Sequence, residues 1–293
     1  MKPIDIGIAV LVAVIWGLAF VASRIALDEL SPTLMTALRF SIAAVPCLVV
    51  PRPKVSWPTL IAISFTLFLG QFLTQAWGIA LGVPVGLTSV IVQSQALFTI
   101  GFAAILFGER PSRMQTLGIA IAASGLLMIC GTVGYDFSVT AFAVLLMSPL
   151  FFAAGNLLLR RAQGAAMFDL FAWLCLVAAV PLLVLTPLED GVQPTWRAIS
   201  QMSAEVFLCM LVIGAISTCT AYWLWGRLLR DYPAAQVVPF ALLVPFVGSA
   251  ASSVAFGETF GPLRLAGMLT VILGIAVMVL SKRVQALART AGA

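Results

Sequence analysis

Gln71, Gln75, Gln95, Asn156, Tyr222 and Trp16 all stand in long apolar stretches, where a polar side chain needs a reason to be. An amide that faces lipid is costly, so these groups must face protein or an aqueous cavity. Gln71 and Gln75 are four apart and share one helix face; Thr88 and Gln95 are seven apart and share another, leaving Gln93 pointing elsewhere. Taken singly, each is accounted for by an interhelical hydrogen bond. Taken together, they offer donors and acceptors to a small polar or zwitterionic solute. Trp16 would lay its ring against an ammonium group or simply pack. Arg39 is the one charge well inside an apolar stretch. Its guanidinium has two readings. It holds a substrate carboxylate by paired hydrogen bonds, or it is structural and either snorkels to the interface or bonds backbone carbonyls. Arg24 and Asp28, four apart where the first apolar stretch ends, read as a surface pair.

Other chemistries are excluded by what is missing. There is no histidine, Walker A loop, G-x-S-x-G elbow or pair of acids within an apolar stretch, so the chain does not read as an enzyme, and no cofactor or metal is expected. Cys47, Cys130, Cys175, Cys209 and Cys219 are odd in number and lie in or at the edge of apolar runs, and read as buried structural thiols. No Asp or Glu lies deep in a span, so the carboxylate of a proton-coupled pump is missing. Facilitated diffusion or exchange is favoured, with the loop acids Glu109 and Glu258 left to titrate.

The elements that must position these groups follow from composition. The 293 residues are 62% hydrophobic and 9% charged, whereas about a quarter of the residues in a soluble domain are charged. The expectation is a polytopic membrane protein. Basic residues come in twos between apolar runs and form no patch, so no nucleic-acid partner is expected. Runs long enough to cross a bilayer cover about 6–25, 33–50, 58–80, 84–107, 115–133, 140–159, 169–186, 205–226, 234–256 and 262–280. The first run is too long for a signal peptide and lacks a small-x-small cleavage site, so it reads as a retained helix. Twelve Lys and Arg, from Lys2 to Lys282, Arg283 and Arg289, fall in one set of loops, against Arg24, Arg197 and Arg264 in the other. Positive loops stay in the cytoplasm, which places both termini there.

The chain is also duplicated. A constant offset lays Pro84 on Pro233, Phe107-Gly108-Glu109 on Phe256-Gly257-Glu258, Gly118 on Gly267 and Gly125 on Gly274. Ala43-Ala44-Val45-Pro46 matches Ala178-Ala179-Val180-Pro181, and Trp77-Gly78 matches Trp225-Gly226. The halves, 1–136 and 137–293, would each hold five helices. An odd number per half inserts the two with opposite orientation, the plan of secondary transporters whose site lies near the midplane.

This order, with Trp16-Gly17 in the first helix, Leu38-Arg39-Phe40 in the second and Phe-Gly-Glu closing the fourth and ninth, resembles the EamA-type branch of the drug/metabolite transporter superfamily. More locally, Arg52-Pro53-Lys54-Val55, Gly70-Gln71-Phe72, Gln93-Ser94-Gln95-Ala96 and Leu242-Leu243-Val244-Pro245 are similar to bacterial inner-membrane exporters of O-acetylserine and cysteine. The resemblance implies an all-α membrane protein: ten transmembrane helices as two inverted five-helix repeats around a central cavity. Helices one, three, four, six, eight and nine would surround it, five and ten would pack at the rear, and helix two with Arg39 would be less central. The implied activity is export of small amino acids or amino-acid metabolites across the bacterial inner membrane by alternating access. Trp16, Gln71, Gln75, Gln95, Asn156 and Tyr222 would then bind substrate. Leu174 stands where the second half would repeat Arg39, so any site is asymmetric. The alternative is an exporter of hydrophobic or aromatic compounds, on the strength of Phe65 to Phe72 and Phe151-Phe152. The partners expected are the lipid bilayer and the substrate, and a monomer is compatible with the sequence.

Overall fold

The computed structural model describes the backbone of residues 1–162 and 164–291, and their side chains except those of Ala235 and 281–291. The side chains of Lys282, Arg283 and Arg289 lie outside the described residues. Every regular element described is a helix: α1 (Pro3–Ala26), α2 (Pro32–Ala43), α3 (Trp57–Ala80), α4 (Val85–Phe107), α5 (Arg113–Cys130), α6 (Val139–Ala162), α7 (Met167–Glu189) and α8 (Ala204–Asp231), followed by α9 and α10 (Pro262–Ala291). In α9 an α-turn at Ala234–Val237 passes through a 3-10 stretch, Val238–Leu242, into the helix Leu243–Phe256. Pro239 and Pro245 withhold two backbone donors there, which favours the tighter winding.

Among the described residues nine helices are long and apolar enough to cross a membrane, and α2 is not one of them. The run expected as a second span ends as α-helix at Ala43 and continues as a 3-10 turn, Val45–Leu48. Pro46 cannot donate to the helix ladder and crowds the preceding turn, so the helix stops short. The expected ten spans are thus nine of crossing length and one shorter, broken segment. The connection after α7 contains a surface helix, Val192–Ser200.

The helix starts are written locally. Ser31, Ser112, Ser138 and Ser203 each accept a backbone N–H at an N-terminus, satisfying a donor that has no partner within the helix. At the other pole, α4 and α9 both close on a glycine in the left-handed region, Gly108 at φ 64° and Gly257 at φ 66°. The duplication is visible in the winding as well, since π-helical stretches interrupt α3 at Ser64–Gly70 and α8 at Val212–Thr220.

Packing across the halves is antiparallel. A Cβ on Gly118 of α5 would meet the Gly274 carbonyl oxygen of α10 at 2.7 Å, and one on Gly125 would meet the Gly267 oxygen at 2.7 Å. Moving forward along α5 therefore means moving back along α10, as inverted halves require. The backbones touch because no side chain intervenes. The same reversal joins α4 to α9, with Gly86 against Ser249 and Ser252, and Ser89 against Gly248.

Loop contacts sort the two ends. At one end the N-terminus meets Gln236, Tyr232 bonds Asp5, and Arg160 pairs with Glu109. At the other, Ser203 bonds Glu29, Ser31 bonds Asp190, and Arg264 pairs with Asp136.

Candidate functional site

Between the halves lies a cavity of about 520 Å³. It draws its lining from α1, α3, α4, α6, α8 and α9, with Arg39 from α2 and Met278 and Val279 from α10. Trp16, Gln71, Gln75, Gln95, Asn156 and Tyr222, scattered over more than 200 positions of sequence, all stand on this one surface. Two successive turns of α1 bring Trp16, Ala19, Phe20 and Ser23 to it, and Gln71 and Gln75 reach it from one face of α3 just after the π-helical stretch.

Polar and aromatic groups divide the lining. The Trp16 indole donates to the Ser217 carbonyl at 3.1 Å, which fixes its plane on the π-helical stretch of α8. Its ring centroid lies 5.4 Å from that of Tyr222 and 5.1 Å from that of Trp225, so three electron-rich rings stand together. Phe20, Phe72 and Phe152 extend the apolar wall. Within the polar wall, the side-chain oxygens of Gln71, Gln95 and Ser217 are buried without a hydrogen-bond partner among the described residues. An interhelical bond thus explains one glutamine of the group but not these. That one is Gln93, whose amide donates to the Ala241 carbonyl of α9 at 3.1 Å.

Gln93 also lines the cavity, contrary to the helical-wheel expectation that it points elsewhere. The reason is a break in α4: the Gln93 and Ser94 amides bond back three residues to Val90 and Ile91, so the helix tightens and its angular phase resets. Thr88, expected to share the face of Gln95, is fully buried instead and bonds the Pro84 carbonyl. Arg39 is the second correction. It was expected to be less central, but it lines the cavity: the turn of α2 that carries it packs against α8, where Gly214 leaves room for Ile42 and the Arg39 carbonyl. The counterpart Leu174 is buried in core, its carbonyl accepting from Ser64 of the π-helical stretch of α3. Among the cysteines, all free, only Cys175 is buried and Cys130 is exposed, so the uniform reading as buried thiols holds for one position. Arg24 and Asp28 do form an exposed i,i+4 pair.

One end of the cavity is shut. The Glu258 carboxylate, past the end of α9, accepts the N–H groups of Val85 at 2.6 Å and Gly86 at 2.9 Å, capping the first turn of α4 with a negative charge. A Cβ on Gly17 would meet Val247 at 2.6 Å, and one on Gly86 would meet Phe260 at 2.6 Å, so α1, α4 and α9 close on one another there. Toward the terminus-bearing end the lining continues through Ala234, Met278 and Val279. A smaller space of about 150 Å³ begins at Thr99 and Ile100, which it shares with the main cavity, and reaches Glu109 and Arg160. Sequence reasoning did not single out Trp225 or Ser217, and it pointed to Phe72 and Phe152 only in support of the alternative substrate. Trp225 served only to align the halves, and its partner in that alignment, Trp77, is exposed on the outer surface of α3. Asp5 was also missed: it is buried, held by the Tyr232 hydroxyl at 2.6 Å and by Arg227 at 3.5 Å.

The sequence profile of the EamA-like transporter family matches residues 4–131 and 139–280. A "Probable amino-acid metabolite efflux pump" of Salmonella typhimurium is 33% identical over the full length of both chains. A protein of the same name from Escherichia coli K12 is 30% identical, covering 97% of each. A "Probable terminal-alkyne amino-acid exporter" of Streptantibioticus cattleyicolor is 29% identical, over 94% of this chain and 92% of its own. A crystal structure 17% identical in sequence superposes with a TM-score of 0.66 over 97% of this chain and all of its own, a likeness of fold.

Proposed function

This chain belongs to the EamA-like transporter family, and from that membership we propose that it exports small amino acids or amino-acid metabolites, of the cysteine and O-acetylserine kind, from the cytoplasm across the bacterial inner membrane. The observation that carries this reading is the cavity. Polar groups from both halves converge on one cavity of about 520 Å³, whose lining carries unpaired amide oxygens together with an aromatic cluster. An ammonium group is served by the oxygens of Gln71 and Gln95 and by the faces of Trp16 and Tyr222. The loop charges supply direction: the arginine-rich end faces the cytoplasm, so this conformation is closed outside and open inward. Rocking of the halves would break the Glu258 cap and seal the other end. With no acid on the cavity surface, exchange or facilitated diffusion is the coupling proposed.

A second reading, export of hydrophobic or aromatic compounds, is favoured by Phe20, Phe72, Phe152 and Trp225 on the same wall. Overproduction in a bacterial host separates the two. Resistance to toxic amino-acid analogues, with none to lipophilic cations, is the outcome of amino-acid export; the reverse pattern transfers the assignment to the second reading.

A further inference from the structure

Resting on the amino-acid reading, we propose that Arg39 is the carboxylate-binding residue of the cavity and that it makes a free carboxylate a requirement for recognition. Arg39 is 5% exposed, and what it exposes is on the cavity. Its Nε donates to Thr218 Oγ1 at 2.9 Å, and the Thr218 hydroxyl itself donates to the Ile213 carbonyl at 2.7 Å. The hydroxyl proton is thereby committed, and a lone pair is aimed at Nε. On its flat side the guanidinium lies over the Phe72 ring, 4.0 Å from its centroid. Hydrogen bond and stacking together fix the plane of the group before anything binds.

What this fixed group lacks is a partner. No carboxylate pairs with Arg39 among the described residues, and its terminal nitrogens donate to no protein acceptor. Both structural readings of a membrane arginine fail here. A snorkelling side chain would reach an interface, whereas this one is buried and turned to the cavity. A side chain that satisfies backbone carbonyls would show those bonds, and its one bond goes to a hydroxyl. A buried cation without a counter-ion is retained at a cost to stability. The arrangement that would offset it is a planar anion accepting two parallel N–H bonds, and a carboxylate has that geometry. The Gln71 amide oxygen on the same cavity, unpaired and able only to accept, suits the ammonium of the same zwitterion, and the unpaired Ser217 hydroxyl can serve either end. Since the second half has Leu174 at the equivalent place, the cavity holds one such anchor and takes one carboxylate at a time. The uncompensated charge also disfavours organic cations.

The test uses purified full-length protein and matched probes: serine against serinamide and ethanolamine, read both as thermal stabilisation of the detergent-solubilised protein and as flux in proteoliposomes. Wild type should be stabilised by serine at concentrations about tenfold to a hundredfold below those needed for serinamide, as expected for a charge-assisted pair. Arg39→Gln should lose that discrimination while keeping or raising its ligand-free melting temperature, because a buried unpaired charge has gone. Arg39→Lys, which keeps the charge but not the fork, should bind serine weakly and still prefer it to serinamide. Thr218→Val, which frees the guanidinium plane, should weaken serine several-fold and leave serinamide unchanged; these two variants carry the test if Arg39→Gln does not fold. Equal stabilisation of wild type by serine and serinamide, or undiminished discrimination in Arg39→Gln, overturns the role of Arg39. Carboxylate-dependent stabilisation without any serine flux would sustain the anchor and sink the export reading, so the two failures are separable.

Discussion

At the scale of single residues, the lining of the candidate site was legible because amides inside apolar runs are expensive and therefore placed. Trp16, Gln71, Gln75, Gln95, Asn156 and Tyr222 lie on one surface for that reason. Ser217 and Trp225 escaped notice because a serine can bond its own helix and a tryptophan can pack anywhere, so their types carry no comparable signal. Gln95→Leu removes an unpaired buried oxygen from the cavity wall without creating a hole; it should lower flux about tenfold while leaving membrane insertion and melting temperature intact. Unchanged flux in quantified proteoliposomes would leave Gln95 as packing alone. Asp136 gives a prediction in pH. The Arg264 guanidinium donates to it at 2.6 and 2.8 Å and holds its carboxyl below the usual carboxylate range. A depressed carboxylate stabilises the fold above its ordinary pKa of about 3.9 and loses that contribution only as pH falls through the lowered value. This pair should therefore hold α10 equally at pH 5 and pH 8. Because Asp136 is half exposed and solvent screens it, Asp136→Asn should destabilise by only about 1 kcal/mol at either pH, measured by thermal unfolding. A much larger loss at pH 8 than at pH 5 would contradict the assignment.

At the scale of elements, apolar runs and their punctuation gave the helices, and departures from regular winding were what the sequence hid. Pro46 marks the early end of α2, and Pro239 the 3-10 stretch of α9. Nothing comparable marks the break of α4 at Gln93 and Ser94, or the π-helical stretches, because these come from neighbours pressing on a helix rather than from its own residues. The consequence is that a helical wheel drawn across the break could not relate Thr88, which is buried away from the cavity, to Gln93 and Gln95, which line it. The capped end of the cavity tests the element scale. Glu258→Gln keeps the shape of the cap but removes its charge and one of its two acceptor oxygens from the first turn of α4, so one charge-assisted hydrogen bond is lost and the other weakened. Amide exchange over residues 85–90 should quicken, and exchange flux should change with it as the balance between the two forms of the cavity moves. Identical exchange in wild type and variant would remove Glu258 from the closure.

At the scale of the whole molecule, internal duplication was the most informative feature, since repeated glycines predict contacts as well as helices. Gly118, Gly125, Gly267 and Gly274 bring α5 and α10 backbone to backbone and antiparallel, and α10, expected to pack at the rear, also reaches the cavity through Met278 and Val279. A Cβ on Gly274 would stand 2.4 Å from the Ala122 amide nitrogen, an impossible contact with no flexible side chain to yield. Gly274→Val should therefore destabilise by about 1–3 kcal/mol or more, seen as a lower melting temperature, with substrate preference unchanged in whatever protein survives. A retained melting temperature would show that the halves are not joined there. The equality of the halves stops at the site: Arg39 answers to Leu174, and Trp16, Tyr222 and Trp225 gather on one side. Asymmetry of that kind is read from side chains, so the repeat predicted the frame and could not predict the recognition. The most direct measurement of amino-acid export by this frame is counterflow of radiolabelled cysteine and serine derivatives into proteoliposomes of the purified protein, with and without a pH gradient. Accumulation without a gradient, competed by other small amino acids, is the expected result; no uptake, or uptake only when a proton gradient is imposed, would contradict the substrate assignment or the uncoupled mechanism respectively.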